Sequence, residues 1–577
     1  MAFGSFPDSL PPWGRVLAGL CVLALIAIIP TVPFLVQGGE TGGGSGLVHV
    51  KILAVNDFHG QLPAGQSLSG EPAGSAPVLA SYLRAAGNES PGAATFIVFP
   101  GDVVGASPPE SGLLLDEPAI LFTDEFAGGC CGGPNGTCTV SCNLIATPGN
   151  HEFDEGVPEM LRLVYGGDGT TNITHLVDPY PGSNATYVSA NIVWTNNTTP
   201  VFLPYVIRNA GGAKIAFIGA DTVQTPTLTG PDDTAGVTFL NETESVNRYI
   251  PEIQAQGVHA IVVLLHEGGN QTAYDGPTRK NTTVTGRVTE IVGGLDPDVD
   301  VVLSAHTHKF TNAYINNSGQ KPVLVTQAYS YSRAFADVDL EIDPATDEIV
   351  HKSARIVPAY ADRYPGTVPD PAATALLAED EAVVSNQTDQ LVAAAAENIT
   401  RSDTAAGESA LGDLVADSQR AAVRADVAFV TTGSLRADIQ KGNVTWGDLY
   451  DVQPFSDLVY AVGMNGSRIR GALEQQWMDP APPYPLAVSG LTYTYDPDRP
   501  AGNKIVDIKV HGIPLNDTAT YRAAAVTYLL GGGDGYTEFE NTTIITSGQD
   551  DVDALASYMG TLPQPVVAGV DNRIRIV

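Results

Sequence analysis

Several short apolar runs in this chain end on histidine, aspartate or asparagine, and that recurrence limits the available folds more than any other feature. The runs are KILAVNDFH (51–59), TFIVFPGDVV (95–104), Leu144–Ile145–Ala146 leading into TPGNHEFD (147–154), AIVVLLHEGG (260–269) and DVVLSAHTHK (300–309). Each apolar run reads as a buried strand. Polar groups released at the C-terminal ends of strands sit where open α/β sheets place their ligands. The segment TPGNHEFD supplies Asn150, His151, Glu152 and Asp154 within five residues. An amide, an imidazole and two carboxylates packed this closely suit a metal site with a catalytic histidine beside it. Taken alone, the segment also reads as a turn that uses Gly149 and Asn150 for backbone geometry.

The remaining histidines decide between those readings. Of ten in the chain, His59, His151, His266, His306 and His308 all lie just past apolar runs. Neutral imidazoles with carboxylates are good ligands for Zn, Mn or Fe. Asp57, His59, Asp102, Asn150, His266, His306 and His308 make seven candidate ligands. A zinc site takes about four, so two metals fit the set better than one.

In order, DFH (57–59), GD (101–102), GNHEFD (149–154), LHEGG (265–269) and AHTH (305–308) resemble the calcineurin-like metallophosphoesterases, in particular their 5′-nucleotidase and UDP-sugar hydrolase branch. The resemblance implies a four-layer β-sandwich flanked by helices, in the α/β (α+β) class, followed by a smaller α/β substrate-binding domain. It also implies two divalent ions, Zn, Mn or similar. One would be held by Asp57, His59, Asp102 and His308, the other by Asp102, Asn150, His266 and His306, with Asp102 shared. His151, oriented by Asp154, would stabilise charge and protonate the leaving oxygen.

Length and charge agree with that outline. At 577 residues two or three domains are expected, and 43% hydrophobic content excludes general disorder. A net charge of −35 argues against a nucleic-acid polymer as partner. The same charge repels a small anionic substrate at long range. A phosphate site must therefore be locally positive, through metal ions and a few arginines.

Residues 1–47 read as an N-terminal anchor or signal with a glycine-rich tether. VLAGLCVLALIAIIPTVPFLV (16–36) is long enough to cross a bilayer, although Pro30 and Pro33 also allow a signal-peptide core ending near residue 29. No Ala-x-Ala-like site follows, only GGETGGGSG (38–46), which favours an uncleaved membrane anchor. Arg15 places the N-terminus in the cytoplasm and the rest outside or at the cell surface. The C-terminal VDNRIRIV has no apolar tail for a GPI-type anchor. About sixteen Asn-x-Ser/Thr sequons, Asn88, Asn172, Asn241, Asn281, Asn398 and Asn541 among them, suit a glycosylated extracytoplasmic surface. Cys130, Cys131, Cys138 and Cys142 cluster in a glycine-rich segment and outside the cell read as two disulfides, with a zinc site as the alternative. That segment is either a stapled lip over the cleft or a surface insertion.

Residues 48–360 read as the catalytic domain, closed by strand-like segments over 321–358, and 361–400 as a linker. The Ala-rich stretch 369–400 predicts one inter-domain helix. In the second domain, 401–577, GESALGDLVADSQRAAV (407–423) predicts a helix, ADVAFVTTGSLRADI (425–439) a strand and turn, QPFSDLVYAVGMNGSRIRGALEQQW (453–477) strand, turn and helix, and YLLGGGDGYTEF (528–539) a glycine-rich turn. By resemblance, Arg436 would bind the substrate, Phe455 and Tyr528 would sandwich a nucleotide base, and Asp534 would lie near the sugar. A guanidinium suits phosphate recognition and flat rings suit a base. Two departures weaken the nucleoside part. Gly407 stands where relatives often carry an arginine, and TTGSLR (431–436) puts Thr431 where they often have asparagine. A 2′,3′-cyclic phosphodiesterase, a nucleotide-sugar pyrophosphatase, or a glycosylated surface protein on an inactive scaffold are the alternatives.

Overall fold

The computed structural model describes residues 46–127, 143–167, 179–230, 232–478 and 484–577. The apolar segment 16–36, the tether to residue 45 and the four clustered cysteines lie outside the described residues. Among the described residues no helix is long and apolar enough to cross a membrane.

The first part is built from β1 (Val48–Ala54), β2 (Ala94–Pro100), β3 (Leu144–Thr147), β4 (Thr186–Tyr187), β5 (Tyr205–Ala210), β6 (Ala213–Asp221), β7 (Ile261–His266), β8 (Val299–Ser304), β9 (Phe310–Asn316), β10 (Pro322–Ala328), β11 (Ala334–Asp343) and β12 (Glu348–Pro358). They form two six-stranded sheets, ordered β12-β11-β1-β2-β3-β4 and β9-β10-β8-β7-β6-β5. Strands β1 to β4 run parallel, as do β6, β7, β8 and β10.

The alternation of strand side chains makes the layers. Ile52, Ala54, Phe96, Val98 and Ile145 of the first sheet meet Ile215, Phe217, Val262, Leu264, Val301 and Leu303 of the second in one buried core. Their neighbours Leu53, Ile97, Phe99 and Leu144 face the other way, against Leu79, Ala80 and Leu83 of α1 (Ala76–Glu89). On the far side Ile261, Val263 and Leu265 pack against Val246, Ile250 and Ile253 of α2 (Glu242–Gln254). Helix, sheet, sheet and helix thus give the four layers expected. Asn241 caps α2, accepting from the Glu244 amide at 3.0 Å, with Glu242 and Glu244 in the first turn where the helix dipole favours acid.

The Ala-rich stretch departs from expectation. α3 (Pro371–Thr388) starts at Asp370, whose side chain accepts from Ala372 and Ala373, but it stops well short of residue 400. Leu391–Ala395 is instead a strand paired antiparallel with Gly442–Thr445. Alanine favours helix only weakly, and an available strand partner outweighs that preference. Beyond it, α4 (Ala410–Ala422) is capped by Ser409, which accepts from the Gly412 amide. β13 (Val427–Thr431), β14 (Leu458–Asn465), β15 (Leu486–Ser489), β16 (Thr520–Val526) and β17 (Thr543–Asp550) form a separate sheet in the order β15-β13-β16-β14-β17.

Candidate metal centre

The parallel strands deliver their polar residues to one place. Asp57, His59, Asp102 and His308 bring one ligand atom each within 4.8 Å of one another, and Asp102, His266 and His306 form a second such group. Asp102 belongs to both. Its Oδ2 lies 3.1 Å from His266 Nε2 and 3.7 Å from His59 Nε2, while Oδ1 accepts from the His151 amide at 3.0 Å. Asn150 Oδ1 lies 3.2 Å from His266 Nε2, on the edge of the second group.

Backbone groups set which ring nitrogen is free. His59 donates Nδ1–H to the Gly105 carbonyl (2.8 Å), and His266 donates Nδ1–H to that of Pro100 (3.0 Å). Each is left with Nε2 directed at its group. His59 Nε2 lies 3.0 Å from His308 Nε2. Five of the candidate ligands hold left-handed backbone: Asp57 (φ 52°), His59 (51°), Asp102 (52°), His306 (73°) and His308 (57°). Such φ values are costly outside glycine, although Asp and His tolerate them best, and they gather where function outweighs local strain. Gly101 and Gly149 permit the close approach of the loops, since a Cβ on either would overlap the His266 ring.

The electrostatics suit cations. Burial drives His59 and His308 well below the usual imidazole range, and His306 to about 4, which leaves neutral rings with lone pairs. Burial also opposes charge on Asp102, but His266 and His151 outweigh it and hold the carboxyl well below its ordinary value. His266 differs: burial opposes its charge too, but Asp102 beside it outweighs that and holds the ring well above the usual imidazole range, so the divalent transition ions that fit this set of imidazoles, shared carboxylate and amide oxygen would displace a proton there.

Supporting residues were not all visible in the sequence. Glu152 accepts from the amides of Val103 (2.7 Å), Asp102 (3.0 Å) and Gly149, stapling the loop after β2 to the loop after β3. Asn56 donates to Asp57 and to the Tyr329 carbonyl (2.7 Å) and accepts from the Ala328 amide (2.8 Å), joining the two sheets beneath Asp57. Arg287 pairs with Glu242 (2.6 Å) and Glu267 (2.9 Å), tying α2 to the residue after His266. Asn56 and Glu152 lie within the motifs and were legible as polar neighbours; Tyr331 carried no signal. Its ring packs on His59 and His308, with centroids 5.2 and 5.1 Å away.

His151 Nδ1 lies 2.7 Å from Asp154 Oδ2. Burial disfavours the imidazolium, but Asp154 and then Asp102 outweigh it and raise the His151 pKa. The second domain reaches this same place. Arg436 Nη2 donates to the Tyr331 hydroxyl at 2.8 Å, and its guanidinium lies 6.0 Å from the Phe455 ring. Phe455 is stacked on His151, centroids 6.0 Å apart and planes 21° apart. Tyr528 is held differently, donating its hydroxyl to Asp534 Oδ1 at 2.9 Å and accepting from the Asp534 amide at 3.0 Å. Thr431 donates to Asp534 Oδ2. The threonine therefore supports the acid rather than leaving a gap where relatives carry asparagine. Gly407 has φ 84° and open space around its Cβ position.

The fold and this shared-carboxylate centre define a metallophosphoesterase architecture, and the chain belongs to the calcineurin-like phosphoesterases that carry a 5′-nucleotidase C-terminal domain. Residues 50–310 match the first family and residues 384–541 the second. Among relatives, the cell wall protein Lmo0130 of Listeria monocytogenes is 32% identical over 578 residues, covering 93% of this chain and 70% of that one. The endonuclease YhcR of Bacillus subtilis is 30% identical over 544 residues, 92% of this chain, but the match spans only 41% of YhcR. Among solved structures, the 5′-nucleotidase precursor of Thermus thermophilus shares the fold with a TM-score of 0.74 at 24% identity, covering 92% of this chain and 99% of that one.

Proposed function

We propose that the chain is an extracytoplasmic phosphoesterase that uses two divalent ions to hydrolyse nucleoside monophosphates to nucleoside and phosphate. The observation that carries the reading is Asp102 shared between two ligand groups, with Arg436 of the second domain brought over them. Asp57, His59, Asp102 and His308 would hold one ion, and Asp102, Asn150, His266 and His306 the other. Divalent ions held this way supply Lewis acidity toward phosphoryl oxygens and lower the pKa of water.

The chain's own groups do the rest. Asp154 fixes His151 with Nδ1–H bonded to the carboxylate, which leaves Nε2 to give a proton to the leaving oxygen. Tyr331 holds Arg436 as a positive charge beside the phosphoryl site, in a protein otherwise strongly acidic. Phe455 and Tyr528 offer rings to a base, and Asp534, held by Thr431 and Tyr528, offers carboxylate oxygens to sugar hydroxyls. The extracytoplasmic placement rests on the sequons and N-terminal apolar run, and on a relative named for the cell wall. A 2′,3′-cyclic diester is the second reading, favoured by Gly407, which offers no cation to a terminal phosphate.

A panel of nucleoside monophosphates, 2′,3′-cyclic nucleotides and nucleotide sugars, assayed with Mn and with Zn, tests this directly. Highest kcat/KM on 5′-monophosphates supports the proposal. A preference for cyclic or pyrophosphate diesters would replace it, and no hydrolysis by metal-loaded protein would leave a binding scaffold.

A further inference from the structure

The nucleoside end of the cleft holds an aromatic residue that no sequence motif singles out. Tyr484 stands just before β15, whose pairing with β13 sets Thr431 opposite Leu486. One step further the Thr432 amide donates to the Pro485 carbonyl at 3.0 Å, which brings Tyr484 against Gly433. The approach is so close that a Cβ on Gly433 would overlap the Tyr484 ring. The Tyr484 carbonyl in turn accepts from the Tyr536 hydroxyl at 2.7 Å. Tyr536, two residues past Asp534, is fully buried and fixes Tyr484 from a second side. Tyr484 therefore sits where the turn carrying Thr431 and Arg436 meets the turn carrying Asp534, two turns already joined by the bond from Thr431 to Asp534.

Its side chain is not part of the core. Tyr484 is 42% exposed, whereas Tyr536 and Leu486 beside it are shut inside the domain. Among the described residues its hydroxyl makes no hydrogen bond, although those of Tyr528 and Tyr536 are both engaged. Gly433 also links the ring to the phosphate end, since its carbonyl lies 3.4 Å from Arg436 Nη1. Tyrosine joins a flat apolar ring to a hydroxyl that both donates and accepts, which suits the rings and polar edges of a nucleoside. An asparagine side chain also donates and accepts. Thr431, standing where relatives often carry one, has its hydroxyl committed to Asp534.

We propose that Tyr484 is a specificity-determining contact for the nucleoside part of the substrate. Its ring forms a wall beside Gly433, and its free hydroxyl bonds the nucleoside in place of the amide missing at position 431. The inference rests on the nucleotide reading of the cleft and deepens it. Tyr484 belongs to neither metal group, so its contribution falls on KM rather than on kcat.

The test measures kcat and KM of the metal-loaded full chain on its best nucleoside 5′-monophosphate, on ribose 5-phosphate and on a small aryl phosphate. Wild type, Tyr484→Phe, Tyr484→Ala and Gly433→Ala are compared, and calorimetry follows binding of the free nucleoside to each. Losing one hydrogen bond in Tyr484→Phe should lower the kcat/KM ratio of nucleotide to aryl phosphate by about 2–10-fold, through KM, and weaken nucleoside binding alike. Tyr484→Ala should lower the ratio further. Gly433→Ala should displace the ring and lower it too, yet change nothing in the Tyr484→Ala background, where the added methyl meets no ring. A loss shared by ribose 5-phosphate places the bond on the sugar and a loss confined to the nucleotide places it on the base; either supports the proposal. A wild type that prefers the nucleotide, with ratio and nucleoside affinity unchanged in Tyr484→Phe, overturns the contact and leaves the nucleotide reading standing. A wild type without that preference removes both. Should Tyr484→Ala fold poorly, Tyr484→Phe keeps the ring and decides alone.

Discussion

Replacing Glu152 by glutamine tests whether the loops after β2 and β3 are held by one carboxylate. Oε1 accepts from Val103 at 2.7 Å, and Oε2 accepts from Asp102 at 3.0 Å and from Gly149. A carboxylate offers acceptors on both sides, whereas an amide offers one oxygen and a donating NH2 group. Whichever way the amide turns, at least one buried N–H then faces another donor. The cheaper orientation orphans Val103 and costs about 1–3 kcal/mol, with a further loss because the remaining bonds are no longer charge-assisted. The strain falls on Asp102 and on Asn150, next to Gly149, both candidate ligands. Removing support behind metal ligands typically costs about 10–100-fold in affinity. Metal content after dialysis at buffered free Zn²⁺, read beside chemical denaturation, should show both losses in Glu152→Gln. Metal affinity within twofold of wild type would refute the reasoning, because the ligand geometry would then not depend on these bonds.

Asp102→Asn should abolish nearly all hydrolysis while the chain stays folded, since one carboxylate serves both ligand groups; retention of more than about a tenth of wild-type turnover would remove its bridging role. His151→Ala should keep metal content and lower turnover by about 10²–10⁴, and parallel loss of metal would make His151 a ligand. Tyr528→Ala should raise KM for nucleotides by roughly five- to a hundred-fold, the equivalent of about 1–3 kcal/mol of stacking, yet spare a small aryl phosphate. Phe455→Ala should harm both substrates, because the ring stacks on His151. An aryl phosphatase rate unchanged in Phe455→Ala would show that the stacking does not orient the histidine.

Much of the centre was legible because its chemistry is local in sequence. Asp57, His59, Asp102, Asn150, His266, His306 and His308 each lie just past an apolar run, and the carboxyl ends of strands buried on both faces are where open α/β sheets place their ligands. The layered fold was implied by the resemblance, and the structure supplies its physical basis: apolar side chains at 52–55 and 96–99 are buried alternately on the two faces of the sheet. What the tertiary structure alone decided depends on partners far away in the chain. Leu391–Ala395 reads as helix in isolation and becomes a strand because Gly442–Thr445 offers an edge. Tyr331 has no motif of its own and matters because Arg436, 105 residues on, donates to it. Thr431 reads in the sequence as the loss of an amide, yet its hydroxyl donates to Asp534, and Phe455, expected as a base platform, also stacks on His151. Residue type and spacing report what a side chain can bind, whereas packing chooses which of its possible partners is within reach.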